Sequence, residues 1–196
     1  MSLSAQLLTA IEITATIAGV VYVVLAARRN RLCWIAGAIG SALFGVLAAL
    51  RGLPMQAGLQ VYYVGMSVYG WVTWTRQSRD GDLPVTTWTW QGHLIAGVVL
   101  VEISVLTARG LSTFTEAAWP LLDSLTTWFS LFATWLVARA RLENWIYWII
   151  IDGVLVFLCY MQDMPLMALL YGFYVFIAAA GLAGWRRRMH ATGVPA

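Results

Sequence analysis

Long apolar runs separated by short polar breaks set the rhythm of this 196-residue chain. A helix that crosses a bilayer needs about 20 mostly apolar residues. The pattern predicts seven such helices, over 7–27, 33–50, 55–75, 91–108, 118–138, 145–161 and 165–185. The breaks between them carry helix-stopping chemistry. Arg28-Arg29-Asn30-Arg31 closes the first run, and Arg51-Gly52-Leu53-Pro54 separates the second from the third. A polar stretch from Arg76 to Pro84 includes Gly81, and Arg109-Gly110 ends the fourth run. Arg139-Ala140-Arg141, Gln162-Asp163-Met164-Pro165 and Arg186-Arg187-Arg188 supply the rest.

The runs repeat. Residues 12–76 align with 123–187 without a gap, at a constant shift of 111. Glu12 then meets Asp123, Arg28 meets Arg139, Trp34 meets Trp145 and Pro54 meets Pro165. Tyr63 meets Tyr174, Gly70 meets Gly181, Trp74 meets Trp185 and Arg76 meets Arg187. Shared apolar composition does not place prolines, tryptophans and arginines on one offset. Repeated halves of this kind are a mark of transporters, whose substrate site lies between the halves. Spans 1–3 form one copy and spans 5–7 the other. The single intervening span restores the chain direction, so the copies are expected to run parallel, a three-plus-one-plus-three layout. The predicted fold class is therefore an all-α integral membrane protein. Its parts are a first three-helix repeat over 1–76, a cytoplasmic loop, linker helix and outer loop over 77–117, a second repeat over 118–188 and a cytoplasmic tail over 189–196.

Composition agrees. The chain is 61% hydrophobic and 11% charged, against about 45–50% and about 25% in soluble domains. Its pI near 9.1 does not indicate nucleic acid, because the cations sit in short clusters between apolar runs with no basic helix or aromatic-interleaved motif. There is no lysine. Ten arginines flank the ends of spans 1, 3, 5 and 7, and only Arg51 and Arg109 lie on the opposite side. The positive-inside rule puts the N-terminus outside and the C-terminus in the cytoplasm. Trp34, Trp74, Trp145 and Trp185 are expected in the cytoplasmic interfacial belt. The first span lacks a basic n-region and a small-residue cleavage site, so it reads as a retained helix rather than a signal peptide. Cys33 and Cys159 fall near opposite membrane faces, too far apart for a disulfide.

Polar groups at membrane depth are the candidate chemistry. Asp152 lies midway along span 6, where an aspartate costs about 2.5–3.5 kcal/mol to insert and so requires a partner or a wet path. Trp145, Trp148 and Asp152 are spaced by three and four, on one helix face. Two indoles and a carboxylate on one stripe suit a flat cation; a packing pair of tryptophans and a helix-bonded aspartate is the plainer alternative. Span 5 adds Asp123, Thr127 and Trp128, with Ser124 and Thr126 beside them; Ser and Thr also serve as helix glue. Gln60 and Tyr171 share a repeat position, as do Tyr63 and Tyr174. Glu102 sits in span 4, outside both copies, and reads as a contact to a neighbouring subunit or to outer water. The methionines show no metal-path spacing, and His93 and His190 are too peripheral for haem or metal ligation, so no metal or cofactor is expected.

The stretch Trp145-x-x-Trp148-x-x-x-Asp152, with its lead-in Arg141-Leu142-Glu143-Asn144, resembles the WxxWxxx(N/D) motif of the PnuC-type vitamin transporters. Leu59-Gln60-Val61-Tyr62-Tyr63 leading to Ser67-Val68-Tyr69-Gly70-Trp71 resembles the third core helix of that family, and the likeness runs over nearly the whole chain. The resemblance implies a SWEET-like seven-helix core, a homotrimer, and uptake of a non-phosphorylated vitamin by facilitated diffusion with trapping by a cytoplasmic kinase. The vitamin it implies is most often nicotinamide riboside, with thiamine and riboflavin carried by relatives. It also implies that Trp145, Trp148 and Asp152 line the substrate site. Nicotinamide riboside and thiamine both carry a cationic ring, which fits the aspartate; riboflavin is neutral.

Rival classes fit less well. A retinal photoreceptor needs a Schiff-base lysine, and the chain has none. A membrane enzyme needs a nucleophile–base pair or metal cluster at depth. A sugar carrier needs neutral hydroxyl-binding groups in place of Asp152. A non-transporting structural subunit is the remaining alternative.

Overall fold

The computed structural model describes residues 3–78, 83–114 and 119–191. Seven helices account for nearly all of them: α1 (Leu3–Ala27), α2 (Cys33–Leu50), α3 (Pro54–Gln77), α4 (Trp90–Phe114), α5 (Pro120–Ala138), α6 (Asn144–Met161) and α7 (Pro165–Ala191). Pro54, Pro120 and Pro165 open α3, α5 and α7, at the one turn where a missing N–H costs nothing. Six helices are long and apolar enough to cross a membrane. The one outside that set is α3, which carries Gln56, Gln60, Tyr62, Tyr63, Ser67 and Tyr69. Arg79 and Gly81 of the predicted polar break, residue 118 at the predicted start of span 5 and most of the predicted tail lie outside the described residues.

The chain divides into two compact units, Met1–Pro84 with Val137–Ala140, and Val85–Leu136 with Arg141–Ala196. In the first, the tight joints explain why the helices pack as neighbours. Arg29 adopts φ 58°, its N–H reaches the Ala26 carbonyl, and the Asn30 N–H reaches that of Leu25. This is a Schellman cap, which satisfies carbonyls that a helix end leaves open. Gly52, at φ 69°, makes the same cap with Ala49, and Leu53 completes it on Ala48. The same local structure recurs 111 residues on along the chain. Ala140 has φ 52° and Asp163 φ 54°. Ala140 bonds to Val137 and Arg141 to Leu136, while Asp163 bonds to Tyr160 and Met164 to Cys159. Helices α2 and α6 begin and end at matched positions, 33–50 against 144–161.

The four repeat tryptophans do not form an interfacial belt. Trp34, Trp74, Trp145 and Trp185 are between 0 and 2% exposed. Trp34 covers Gly70 so closely that a Cβ there would stand 2.3 Å from its ring, and it meets Trp74 edge-on at 5.3 Å. Trp145 covers Gly181 and meets Trp185 edge-on at 5.4 Å. An indole seated on a neighbouring helix's bare Cα gains packing that a headgroup layer does not offer.

In the second unit, Trp128 Nε1 donates to Thr107 Oγ1 at 3.0 Å, tying α5 to α4. Ser104 Oγ reaches the Ser124 carbonyl at 3.4 Å. The segment before α4 lies against the α5–α6 turn. Thr86 and Arg141 form an isolated bridge, Leu142 N–H donates to the Thr86 carbonyl at 2.9 Å, and Trp88 N–H donates to Glu143 Oε1 at 2.8 Å. Many exposed side chains are large and apolar, as at Val61, Ile95, Leu166, Leu169 and Phe176. Water is a poor solvent for such a surface and lipid a good one.

Candidate functional site

The candidate site centres on Asp152. Helix α6 holds it midway between Asn144 and Met161, where it is 4% exposed. Its carboxylate makes no hydrogen bond or ion pair with any described residue. Tyr171 and Tyr174 of α7 stand within its electrostatic reach, and their rings pack edge-on at 6.2 Å. A buried carboxylate with two phenols beside it offers charge and hydrogen bonds to a polar, positively charged guest.

Trp148, one turn before Asp152, is half-buried, so part of its indole remains free for a partner. Trp145 differs. Its ring is spent on Gly181 and Trp185, and its Nε1 is buried with no acceptor among the described residues. The stripe read from the sequence therefore separates into a packing tryptophan and an available one.

On α5, Asp123 lies in the first turn and is half-buried, as is Thr127. Trp128 is committed to Thr107. Thr126 caps carbonyls of its own helix at Leu122 and Asp123, while Ser124 Oγ is buried without a partner among the described residues. Gln60 and Tyr63 belong to the first unit. Gln60 packs its Cβ 3.2 Å from where a Cβ on Gly45 would stand. The Tyr63 carbonyl accepts from Ser67 Oγ at 2.9 Å, and its ring meets Tyr62 at 5.7 Å. Glu102 is exposed on α4 among Val98, Val99, Val101 and Leu106.

One cluster escapes sequence reasoning. His93 Nδ1 lies 3.0 Å from the Tyr147 hydroxyl, and its Nε2 lies 3.8 Å from Glu143 Oε1. Trp88, Phe132 and Trp135 close around it. Glu143 and Tyr147 have helical spacing, which is legible; the distant histidine is not. No group of three or more His, Cys, Asp or Glu side chains among the described residues is placed to hold a metal ion. Both cysteines are free.

A family model described as nicotinamide mononucleotide transporter matches residues 9–187. The chain belongs to that family. The resemblance carried by the tryptophan–aspartate motif is thereby borne out, and the family is one of transporters. Among curated relatives, the nicotinamide riboside transporter PnuC of Escherichia coli is 28% identical over 201 residues, covering 89% of this chain and 84% of the relative. The riboflavin/roseoflavin transporter RibM of Streptomyces davaonensis is 26% identical over 181 residues, covering 89% and 83%. A crystal structure of the vitamin B3 transporter PnuC superimposes with a TM-score of 0.73 at 19% identity, covering 92% of this chain and 82% of that one. The fold is shared with that transporter. With six apolar helices of spanning length, the chain is a multi-pass membrane protein.

Proposed function

We propose that this chain carries a non-phosphorylated vitamin with a cationic ring, nicotinamide riboside first, across the bacterial inner membrane. The observation that carries this reading is Asp152, a buried carboxylate with no partner among the described residues, placed midway along a membrane helix. Its insertion cost is offset when a cation arrives. The pyridinium ring of nicotinamide riboside stacks on Trp148, and its charge and ribose hydroxyls are met by Asp152, Tyr171 and Tyr174. A phosphorylated ligand would bring negative charge toward Asp152, which favours the riboside over the mononucleotide. Asp123 and Thr127 on α5, and Gln60 and Tyr63 on α3, are further candidates for contact, each open to test by single substitution.

The transport mode is facilitated diffusion, with a cytoplasmic kinase retaining the product. All seven helices span, α3 included, in a three-plus-one-plus-three order with the N-terminus outside, as the arginine distribution requires. The chain assembles as a homotrimer. Purified protein in vesicles should equilibrate labelled nicotinamide riboside without any imposed gradient. Uptake that collapses when a proton gradient is dissipated would count against uniport. A second reading, thiamine carriage, rests on the same cationic chemistry, and competition between the two vitamins separates them. Riboflavin, the substrate named for one relative, should compete poorly.

A further inference from the structure

Two matched positions in the two trios exchange a large side chain for a small one. In the first trio, Tyr22 of α1 lies over Gly37 of α2. A Cβ built on Gly37 would stand 3.0 Å from Tyr22 Cδ2 and 3.2 Å from Ser67 Oγ of α3. Tyr22 thus fills the room between the three helices, and it packs edge-on against Trp34 at 5.7 Å.

The residues at the same register in the second trio are Ala133, Trp148 and Ala178. The joint caps, the bounds of α2 and α6, and the tryptophan seats on Gly70 and Gly181 coincide between the trios. By the repeat register, the Cα–Cβ direction at Gly37 corresponds to that at Trp148, and the positions of Tyr22 and Ser67 correspond to Ala133 and Ala178, which are 0% and 1% exposed. Where the first trio has tyrosine, glycine and serine, the second has alanine, tryptophan and alanine. Close-packed interiors tolerate such an exchange only when the volumes compensate.

We infer that Ala133 and Ala178 are positioning residues for Trp148: they vacate the space that Tyr22 fills in the first trio and so hold the indole beside Asp152. The inference rests on Trp148 being the stacking partner proposed above. It adds that the first trio, plugged by Tyr22, has no equivalent stacking surface, so each chain offers one such surface rather than two.

The test uses the full-length chain in detergent, titrated with nicotinamide riboside by calorimetry and melted in parallel. Ala133→Ser, still small, should keep affinity within about twofold. Ala133→Phe should lose about tenfold or more by displacing the indole. The double variant Ala133→Tyr with Trp148→Gly rebuilds the first trio's arrangement. It should melt above Ala133→Tyr alone yet not bind. Wild-type affinity in Ala133→Phe overturns the inference. So does a double variant that melts no higher than Ala133→Tyr or that fails to fold. Trp148→Ala serves as the control for the underlying reading: if it binds like wild type, the proposed stacking role fails, while the melting comparison judges the volume exchange independently.

Discussion

The indole of Trp145 sits on the bare Cα of Gly181, with three ring atoms 2.8–2.9 Å from where a Cβ would be. Trp34 sits on Gly70 in the same way, at 2.3–2.5 Å. No real Cβ fits at these distances, and the indoles are wedged by Trp185 and Trp74. Gly181→Ala should therefore destabilise the protein by about 1–3 kcal/mol, and Gly70→Ala by at least as much. Thermal melts in detergent check this; a melting temperature unchanged by either substitution contradicts the packing role.

Removing the carboxylate at Asp152 separates charge recognition from general packing. Asp152→Ala should weaken binding of nicotinamide riboside by about 10- to 100-fold, the size of a lost hydrogen bond to a charged group. A neutral analogue with a reduced, uncharged ring should lose far less. Equal losses for both ligands would mean that the aspartate acts through structure alone.

Trp128 and Thr107 make a link between α4 and α5 that is testable without transport. Trp128→Phe keeps the aromatic bulk and removes the donor, leaving Thr107 Oγ1 with only the Ile103 carbonyl. A loss of about 1 kcal/mol in unfolding free energy is expected. Thr107→Val should cost about the same, and the double variant little more than either single.

Glu12 and Arg51 form a 2.7 Å ion pair. Both side chains are about half exposed, at 48% and 52%, so solvent screening leaves little net gain. Arg51→Gln should change stability by less than about 1 kcal/mol, with the effect shrinking further in high salt. A large loss would mean that the pair is shielded by lipid headgroups rather than water.

The helices themselves are legible in the sequence because bilayer thickness imposes a length and the breaks are charged or proline-bearing. Helix ends are less so. Arg29, Ala140 and Asp163 adopt left-handed conformations without the glycine that would advertise them; among the described residues only Gly52 carries that signal. Tryptophan at a helix end is ambiguous, since the same residue serves an interfacial belt or an interhelical seat. The deciding signal was present: Gly70 and Gly181 share the offset of the tryptophans they receive. Asp152 stands out because a charge in lipid is costly, and the repeat register leads to Tyr171 and Tyr174. The contact of His93 with Tyr147 was hidden, because 54 residues separate them and no local pattern spans that distance.

Helix ends that close on themselves with two backbone hydrogen bonds leave no slack. In this chain that is so at Arg29, Gly52, Ala140 and Asp163. Unwinding any one of these joints gives up two backbone hydrogen bonds, a loss of about 1–3 kcal/mol.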